Sequence, residues 1–430
     1  MKKGISILHL TAHLGGGIGR ALSGLVLNTP RDSGARHAVV CLEKPEKNHF
    51  MGKIRSANCD VFVAPDRELF QILVNEADII QLEWWNHPAT IAALCEAPLP
   101  AMRLIIWCHV SGLQTPVIPA GLISAAHRCL FTSPCSYEAA EVQQLPPETR
   151  NRLDAIHSTG GFDDFVPPNR PDNEALTAGY VGSLNFAKLH PHFADFLAAV
   201  PIHGFRVRMI GDMTNREVLQ RQCEKAGRQE MLEFRGYIDD VASELAAINV
   251  TPYLLNPNHY GTTENALLEA MAMGVVPVVL DNPAERCLVR HGETGLIVNS
   301  PEEFAAAITW LADNPAKRTE ISRRAAKSVR ERFSPGKTAA AFSRHYLAVM
   351  EEEKTAVRFR KIFGDTPADW FLACQRNKDT FLTEQGFDTV DEMTIPGLLE
   401  RTKGSSFHFH RNFPEDMRLS QWTNRLKSLM

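Results

Sequence analysis

The 430-residue chain lacks cysteine pairs at metal-site spacing, long apolar runs and an excess of either charge. Its nine cysteines (41, 59, 95, 108, 129, 135, 223, 287 and 374) are odd in number, widely scattered and without a CxxC pair. That spacing supports neither a disulfide framework nor a zinc site, and it fits a reducing cytosol. No stretch approaches the roughly 20 apolar residues needed to span a bilayer, so no transmembrane segment is expected. A net charge of -4 gives no polyelectrolyte signal, so nucleic acid is not an expected partner. After Met1, Lys2 and Lys3 the run Gly4–Leu10 is only as long as a strand and meets Thr11, His13 and a glycine cluster, which reads as a strand rather than a signal peptide. Internal repeats and low-complexity tracts are also missing.

What is present is a soluble globular composition, 44% apolar and 22% charged, on a chain too long for one ordinary core. Short β-rich runs alternate with helical patterns. Ile5–Leu10, His37–Leu42, Asp60–Val63, Asp78–Leu82, Leu104–His109 and Cys129–Thr132 are apolar on both faces, as strands buried between helix layers should be. The proline-rich stretch Val166–Asp172 reads as an interdomain linker. The rhythm then resumes with Tyr180–Ser183, Arg206–Ile210, Leu232–Phe234, Val250–Leu254 and Pro277–Leu280. The expected fold class is α/β: two Rossmann-like doubly wound parallel-sheet domains facing a cleft, with ligands at the carboxyl ends of the strands. The expected domains are residues 1–170, residues 171–353 and a mainly helical C-terminal extension, 354–430. Trp370, Phe371, Phe381, Phe387, Phe407, Phe409, Phe413 and Trp422 make that extension too aromatic for a disordered tail.

The segment His259–Val279, HYGTTENALLEAMAMGVVPVV, carries the most chemistry. Thr262 or Thr263 can cap a helix starting near Glu264, and Gly274 can end it. From Ala266 to Val279 every residue except Glu269 is apolar or glycine. A lone carboxylate buried there without a partner would cost several kcal/mol, so Glu269 must face water, a basic residue or a ligand. Asn265 and Glu269 share a helix face, and side chains lean toward the helix N-terminus, where N–H groups and the macrodipole favour a phosphate. One helix can thus hold a diphosphate at its tip and a ribose hydroxyl pair on Glu269.

This segment resembles the donor-binding signature of glycosyltransferase family 4 (glycosyl transferases group 1), retaining enzymes of the GT-B fold. The resemblance covers roughly residues 4–350 and lies in several motifs in the family's order. Gly15–Gly16–Gly17 is similar to the glycine loop that lets the backbone approach donor phosphate and acceptor. His109 matches the histidine near the transferred sugar. Ile156–Phe165 resembles the segment closing the first domain, and Tyr180–Lys188 resembles an Arg…Lys element. Ile210–Asp212 and Phe234–Asp239 resemble the loops at the nucleotide base, where Tyr237 would lie. The resemblance implies donor or acceptor contacts at Gly16, Gly17, Ser183, Tyr237, Thr263, Asn265, Ala266 and Glu269, with catalytic roles for His109 and Lys188.

Two positions depart from the pattern. The family's first acid falls on Gly261 and its arginine on Ser183, which leaves Lys188 as the identified cation for the diphosphate. Glu264, three residues on, is expected to replace the missing acid as a catalytic residue contacting the transferred sugar. Asp163–Asp164, Asp239–Asp240 and the His408/His410 pair lack further ligands at useful spacing, so no metal is expected. No cofactor is implied beyond the nucleotide-diphosphate sugar as co-substrate. The acceptor would be a sugar, a lipid-linked or another hydroxyl compound, met near Trp84, Trp85, Asn86 and His87. The expected place is the cytoplasm, with peripheral contact at the inner face of the membrane left open. Two other readings remain: a non-catalytic nucleotide-sugar-binding protein of the same fold, and a nucleotide-sugar epimerase or hydrolase.

Overall fold

The computed structural model describes residues 4–45, 48–96, 98–171 and 173–428, of Asp32 the backbone only. Met1–Lys3 and Asp172, at the ends of two sequence readings, lie outside these. The chain forms two compact units, the first made of Met1–Gly160, Tyr260–Thr263 and Phe333–Met430, the second of Gly161–His259 and Glu264–Arg332.

The first unit holds a seven-stranded sheet in the order β3-β2-β1-β4-β5-β6-β7. Its strands are β1 Ile5–Thr11, β2 Ala35–Cys41, β3 Asp60–Val63, β4 Ile79–Trp84, β5 Leu104–Cys108, β6 Arg128–Phe131 and β7 Leu153–Ala155. All neighbours pair in parallel, with Ile7 opposite Ile79 and Ile80 opposite Leu104. The second unit holds a six-stranded parallel sheet in the order β10-β9-β8-β11-β12-β13. Its strands are β8 Ala178–Val181, β9 Val207–Ile210, β10 Leu232–Gly236, β11 Val250–Tyr253, β12 Val276–Leu280 and β13 Leu296–Val298. These are the two Rossmann-like domains expected. Among the described residues no helix is long and apolar enough to cross a membrane.

Alternation along the first sheet sorts its side chains into two cores. Ile7, Val39, Ile79, Ile105 and Trp107 pack with Leu22 and Leu25 of the helix Gly16–Asn28 and with Ala339, Phe342, Tyr346 and Val349 of the helix Pro335–Met350. On the opposite face Leu8, Ile80, Leu82, Trp84, Ile106 and Phe131 share one cluster with Phe359, Phe363, Trp370, Phe371, Phe407, Phe409 and Trp422. The C-terminal helices are therefore one of the two layers that cover this sheet.

The units divide the chain differently from the expected boundaries at 170 and 353. Pro335–Met350 belongs to the first unit because its apolar stripe completes that core. The break near the proline-rich stretch falls at Gly160–Gly161, ahead of Pro167 and Pro168. Arg170 is held in the second unit by the carbonyls of Leu245 and Ala246, at 3.2 and 2.8 Å.

In the full chain Phe371→Ala should cost about 3–5 kcal/mol, the usual loss for a buried phenylalanine. Truncation after Glu353 should leave the β4–β6 face open to water and the protein insoluble or molten. Urea titration of the point variant and a melting scan of the truncated chain check this. A truncated chain that melts like the parent would show that the layer is dispensable.

Candidate functional site

Both sheets reverse their winding at an interior point, between β1 and β4 in the first and between β8 and β11 in the second. In open parallel sheets ligands enter at the carboxyl ends of the strands flanking such a point. The residues singled out by sequence fall at these two places.

In the second unit Tyr253 ends β11, and Glu264 immediately precedes the helix Asn265–Ala272. The Lys188 ammonium lies 2.8 Å from Glu264 Oε2, and the Tyr253 hydroxyl donates to the same oxygen at 2.8 Å. Glu264 is 2% exposed. Burial, the largest influence, would raise its pKa, but the charges of Lys188 and His259 and the bonds from Lys188 and Tyr253 together hold it below the ordinary value. Tyr253 is pushed well up by burial and then by Glu264, so it stays a protonated donor. Glu264, expected at the transferred sugar, is the buried counter-ion of Lys188. One expectation is corrected: the helix has no side-chain cap from Thr262 or Thr263. Those hydroxyls are used within the first unit, where Thr132 Oγ1 donates to Thr262 Oγ1 at 2.7 Å and Thr263 Oγ1 donates to the Thr132 carbonyl at 2.7 Å. Gly274, with φ +73°, follows the helix as its expected stop.

Asn265 and Ala266 are half-buried on the first turn, and Glu269 is buried one turn on. After β8, Ser183 Oγ accepts from the Asn185 amide at 3.3 Å and its side chain bonds Asp212. Asp212 also accepts from the Leu184 and Thr214 amides, at 3.2 and 3.0 Å, so Ser183 and the loop after β9 are one structure. Tyr237, on the loop after β10, is 69% exposed. Asp163, Asp164, Asp239 and Asp240 are exposed, and Asp240 caps the helix Val241–Ala246.

A buried pair that the sequence reading missed adjoins Glu264. His259 Nε2 lies 3.3 Å from Glu285 Oε2, and Glu285 has no exposed surface. Burial would lower the His259 pKa, but Glu285 outweighs it and raises it. Ligand atoms of His259, Glu264 and Glu285 lie within 4.8 Å of one another, close enough to hold a divalent ion. Lys188 already supplies positive charge to this cluster, beside an imidazole whose proton the carboxylates favour. Glu285 carries no signal of the kind that marks Glu269, since Asp281, Asn282 and Arg286 surround it in the sequence.

In the first unit His109 follows β5, and its Nε2 lies 2.8 Å from Glu83 Oε2. Glu83, on β4, is wholly buried and also takes His9 Nδ1 at 3.1 Å and Gln81 Nε2 at 2.8 Å. Burial would raise its pKa, but the bonds from His109 and His9 outweigh that and lower it. An ionised carboxylate only accepts, so Nε2 of His109 is the donor and the ring's orientation is set from behind. The chain continues from His9 Nε2 to His37 Nδ1 at 2.8 Å and from His37 Nε2 to Thr29 Oγ1 at 3.1 Å. Gly16 opens the helix after β1 with φ +53°, and a Cβ there would meet nothing within 4 Å. Gly17 is exposed beside it. The structure thus groups Lys188, Glu264, Asn265, Ala266 and Glu269 in one unit, and Gly16, Gly17, His109 and Thr263 in the other.

Residues 175–314 match the family described as Glycosyl transferases group 1. Over 139 residues the chain is 27% identical to the lipopolysaccharide core biosynthesis glycosyltransferase LpsE of Rhizobium meliloti (strain 1021), a stretch of 32% of this chain and 40% of that one. The match therefore spans less than half the length of that relative. Among solved structures, HepE of Anabaena in complex with UDP and glucose superposes with a TM-score of 0.60 at 18% identity, covering 80% of this chain and 100% of that one. Sucrose-phosphate synthase of Thermosynechococcus elongatus gives 0.61 at 15% identity, covering 81% and 100%. At such identities the likeness is one of fold, the GT-B pair of Rossmann-like domains.

Glu83→Gln should lower stability by about 1–3 kcal/mol near neutrality, because two histidines lose a charged acceptor. The folded pKa of Glu83 lies below its ordinary 4.5, so its contribution is present above 4.5 and fades as the pH falls through the folded value. The gap between parent and variant in urea should therefore narrow in acid. A gap that is constant with pH, or absent, would refute the charged assignment.

Proposed function

We propose that the protein is a retaining, metal-independent glycosyltransferase of family 4. It moves a hexosyl group from a nucleotide-diphosphate sugar to an acceptor hydroxyl in the making of a cell-surface glycoconjugate. The observation that carries this reading is the Lys188–Glu264 pair beside the helix Asn265–Ala272, inside the stretch that matches Glycosyl transferases group 1.

Departure of a nucleoside diphosphate from an anomeric carbon leaves an oxocarbenium-like centre and builds charge on the leaving phosphate. Lys188 and the first-turn amides of Asn265 and Ala266 suit that charge. Glu264 acts as a positioning residue, holding the ammonium against Tyr253 while remaining out of water. Glu269 is assigned the ribose hydroxyls, Tyr237 and Ser183 the nucleotide end. In the first unit Gly16 and Gly17 leave room for the reacting groups. His109, fixed by Glu83, orients the sugar and shields the ion-like centre. The leaving phosphate itself takes the acceptor proton in a front-face path, which needs no protein nucleophile. The likeness to a lipopolysaccharide core enzyme supports a glycoconjugate acceptor, and the uridine diphosphate and glucose held by HepE make a UDP-sugar the first donor to test. A cytoplasmic place, at the inner face of the membrane, fits such an acceptor.

A second reading, binding without turnover, draws on Gly261 and Ser183 and on Lys188 already being neutralised by Glu264. A thermal-shift screen with nucleoside diphosphates and their sugars tests what the two readings share, and an assay of diphosphate release separates them. Ligand at about 100 times its Kd should add about 2.7 kcal/mol of apparent stability in both cases. Transfer further requires released diphosphate when an acceptor extract is added. Lys188→Ala should lower turnover by roughly 100-fold, the scale of losing one charge-stabilising donor. Equal turnover in this variant and the parent would dismiss the assigned role. Removal of divalent ions with EDTA should leave transfer unchanged. Loss of activity that manganese restores would instead place an ion on His259, Glu264 and Glu285.

A further inference from the structure

At the switch point of the first sheet the chain gathers aromatic and basic side chains from two distant stretches. The loops after β1 and β4 supply His13, Trp85 and His87, and the C-terminal layer supplies Lys403 and His408, with Arg411 near enough for its charge to act on His87, His408 and Glu43. The Trp85 ring lies 4.7 Å from His87 and 5.3 Å from His13, with the Lys403 ammonium 5.6 Å above its centroid. His408 meets His87 edge-on at 4.6 Å. Both of these histidines are buried, and their pKa values are pushed down to about 2 and about 4, by burial first and then by neighbours that include Arg411 and Lys403. The charges of Lys403 and Arg411 therefore act on two buried histidines, and the Glu43 carboxylate lies 3.4 Å from His87, where Arg411 acts on it too.

This arrangement is built. Asn86 Nδ2 donates to the Gly404 carbonyl at 3.3 Å, and the Gly404 amide donates to His408 Nδ1 at 3.1 Å. Gly404 has φ +74°, and a Cβ there would stand 2.3 Å from the Asn86 carbonyl. Asn86 and Lys403 themselves hold left-handed backbone, at φ 62° and 55°, which non-glycine residues adopt chiefly at clamps and sites. Trp85 Nε1 and Asn86 Oδ1 are buried with no hydrogen-bond partner among the described residues. An unmet donor, an unmet acceptor, an aromatic face and two cations call for a ligand with hydroxyls, a ring face and negative charge.

We propose that this cluster is the acceptor site, and that the acceptor is a saccharide bearing a phosphate or carboxylate group held by Lys403 and Arg411 of the C-terminal layer. The word acceptor rests on the transfer reading above; the anionic saccharide site stands on this geometry alone. Calorimetric titration of the full chain with glucose 6-phosphate, glucuronate, glucose and inorganic phosphate tests it, with UDP titrated in parallel. At least one anionic sugar should bind about tenfold tighter than glucose and than inorganic phosphate, a margin of about 1.4 kcal/mol. The two anionic sugars distinguish phosphate from carboxylate. A Lys403→Ala, Arg411→Ala double variant, altered at exposed positions, should lose that preference and keep the parental response to UDP. No binding of either anionic sugar, equal binding of glucose or inorganic phosphate, or a preference that survives the double variant would overturn the proposal. Sugar preference with no UDP binding would remove the transfer reading while leaving the anionic site in place.

Discussion

A carboxylate taken out of water must find positive charge or several donors close by, since an unpaired buried ion costs several kcal/mol or gives up its charge. That constraint acts at the switch point of each sheet. In the first unit Glu83 ends up between His9 and His109, with Gln81 as a third donor. In the second, Glu264 is met by Lys188 and Tyr253. In both cases the demand for compensation fixes the side chain that chemistry would use. His109 is turned by an acceptor beneath it, and Lys188 is drawn toward the helix Asn265–Ala272. Removing either acid would free its partner to rotate, so the buried glutamates act through the residues they hold.

The same sheet geometry explains why the C-terminal layer matters to the first unit's strand ends. Strands apolar on both faces need two covering layers, and alternation assigns the helix Pro335–Met350 to one face and residues beyond 358 to the other. Once Phe363, Phe371 and Trp422 are committed to that second face, the loop after Thr402 is carried to the end of β4, where Gly404 packs against Asn86. Packing thus delivers Lys403 and His408 to the strand ends.

Much of this was legible in the sequence. Two-sided apolar runs gave eleven strands to within a residue or two, because burial on both faces leaves a local signature. β7 and β13 escaped, since each has three residues and β7 contains Asp154. Glu269 was recognised as a lone acid among apolar neighbours. The same test applied to Ile79–Trp84 would expose Glu83, the one acid of a strand that is otherwise apolar apart from Gln81. The supposed threonine cap failed for a different reason: Thr262 and Thr263 bond to Thr132, a partner about 130 residues away that no local pattern reveals. Tyr253 and His259 were invisible for a similar cause, their importance lying in what the turn after β11 brings back to them.

The pairing of Lys188 with Glu264 also bears on the two departures from the family pattern. With serine at 183 and glycine at 261, one cation and one acid of that pattern are missing. The two positions lie in different units, Ser183 in the second and Gly261 in the first. The remaining cation is then balanced by an acid three residues further along, on the same loop. Because Glu264 accepts from both Lys188 and Tyr253, its oxygen is committed before any ligand arrives. A phosphate approaching Lys188 therefore meets an ammonium whose position is set, at the expense of part of its attraction. Preorganisation of this kind favours a charge that grows during reaction over one already present in the ground state, because the dipoles and the ammonium need not reorganise as that charge appears. On the proposed transfer reading, the arrangement suits a leaving diphosphate better than tight retention of a free one.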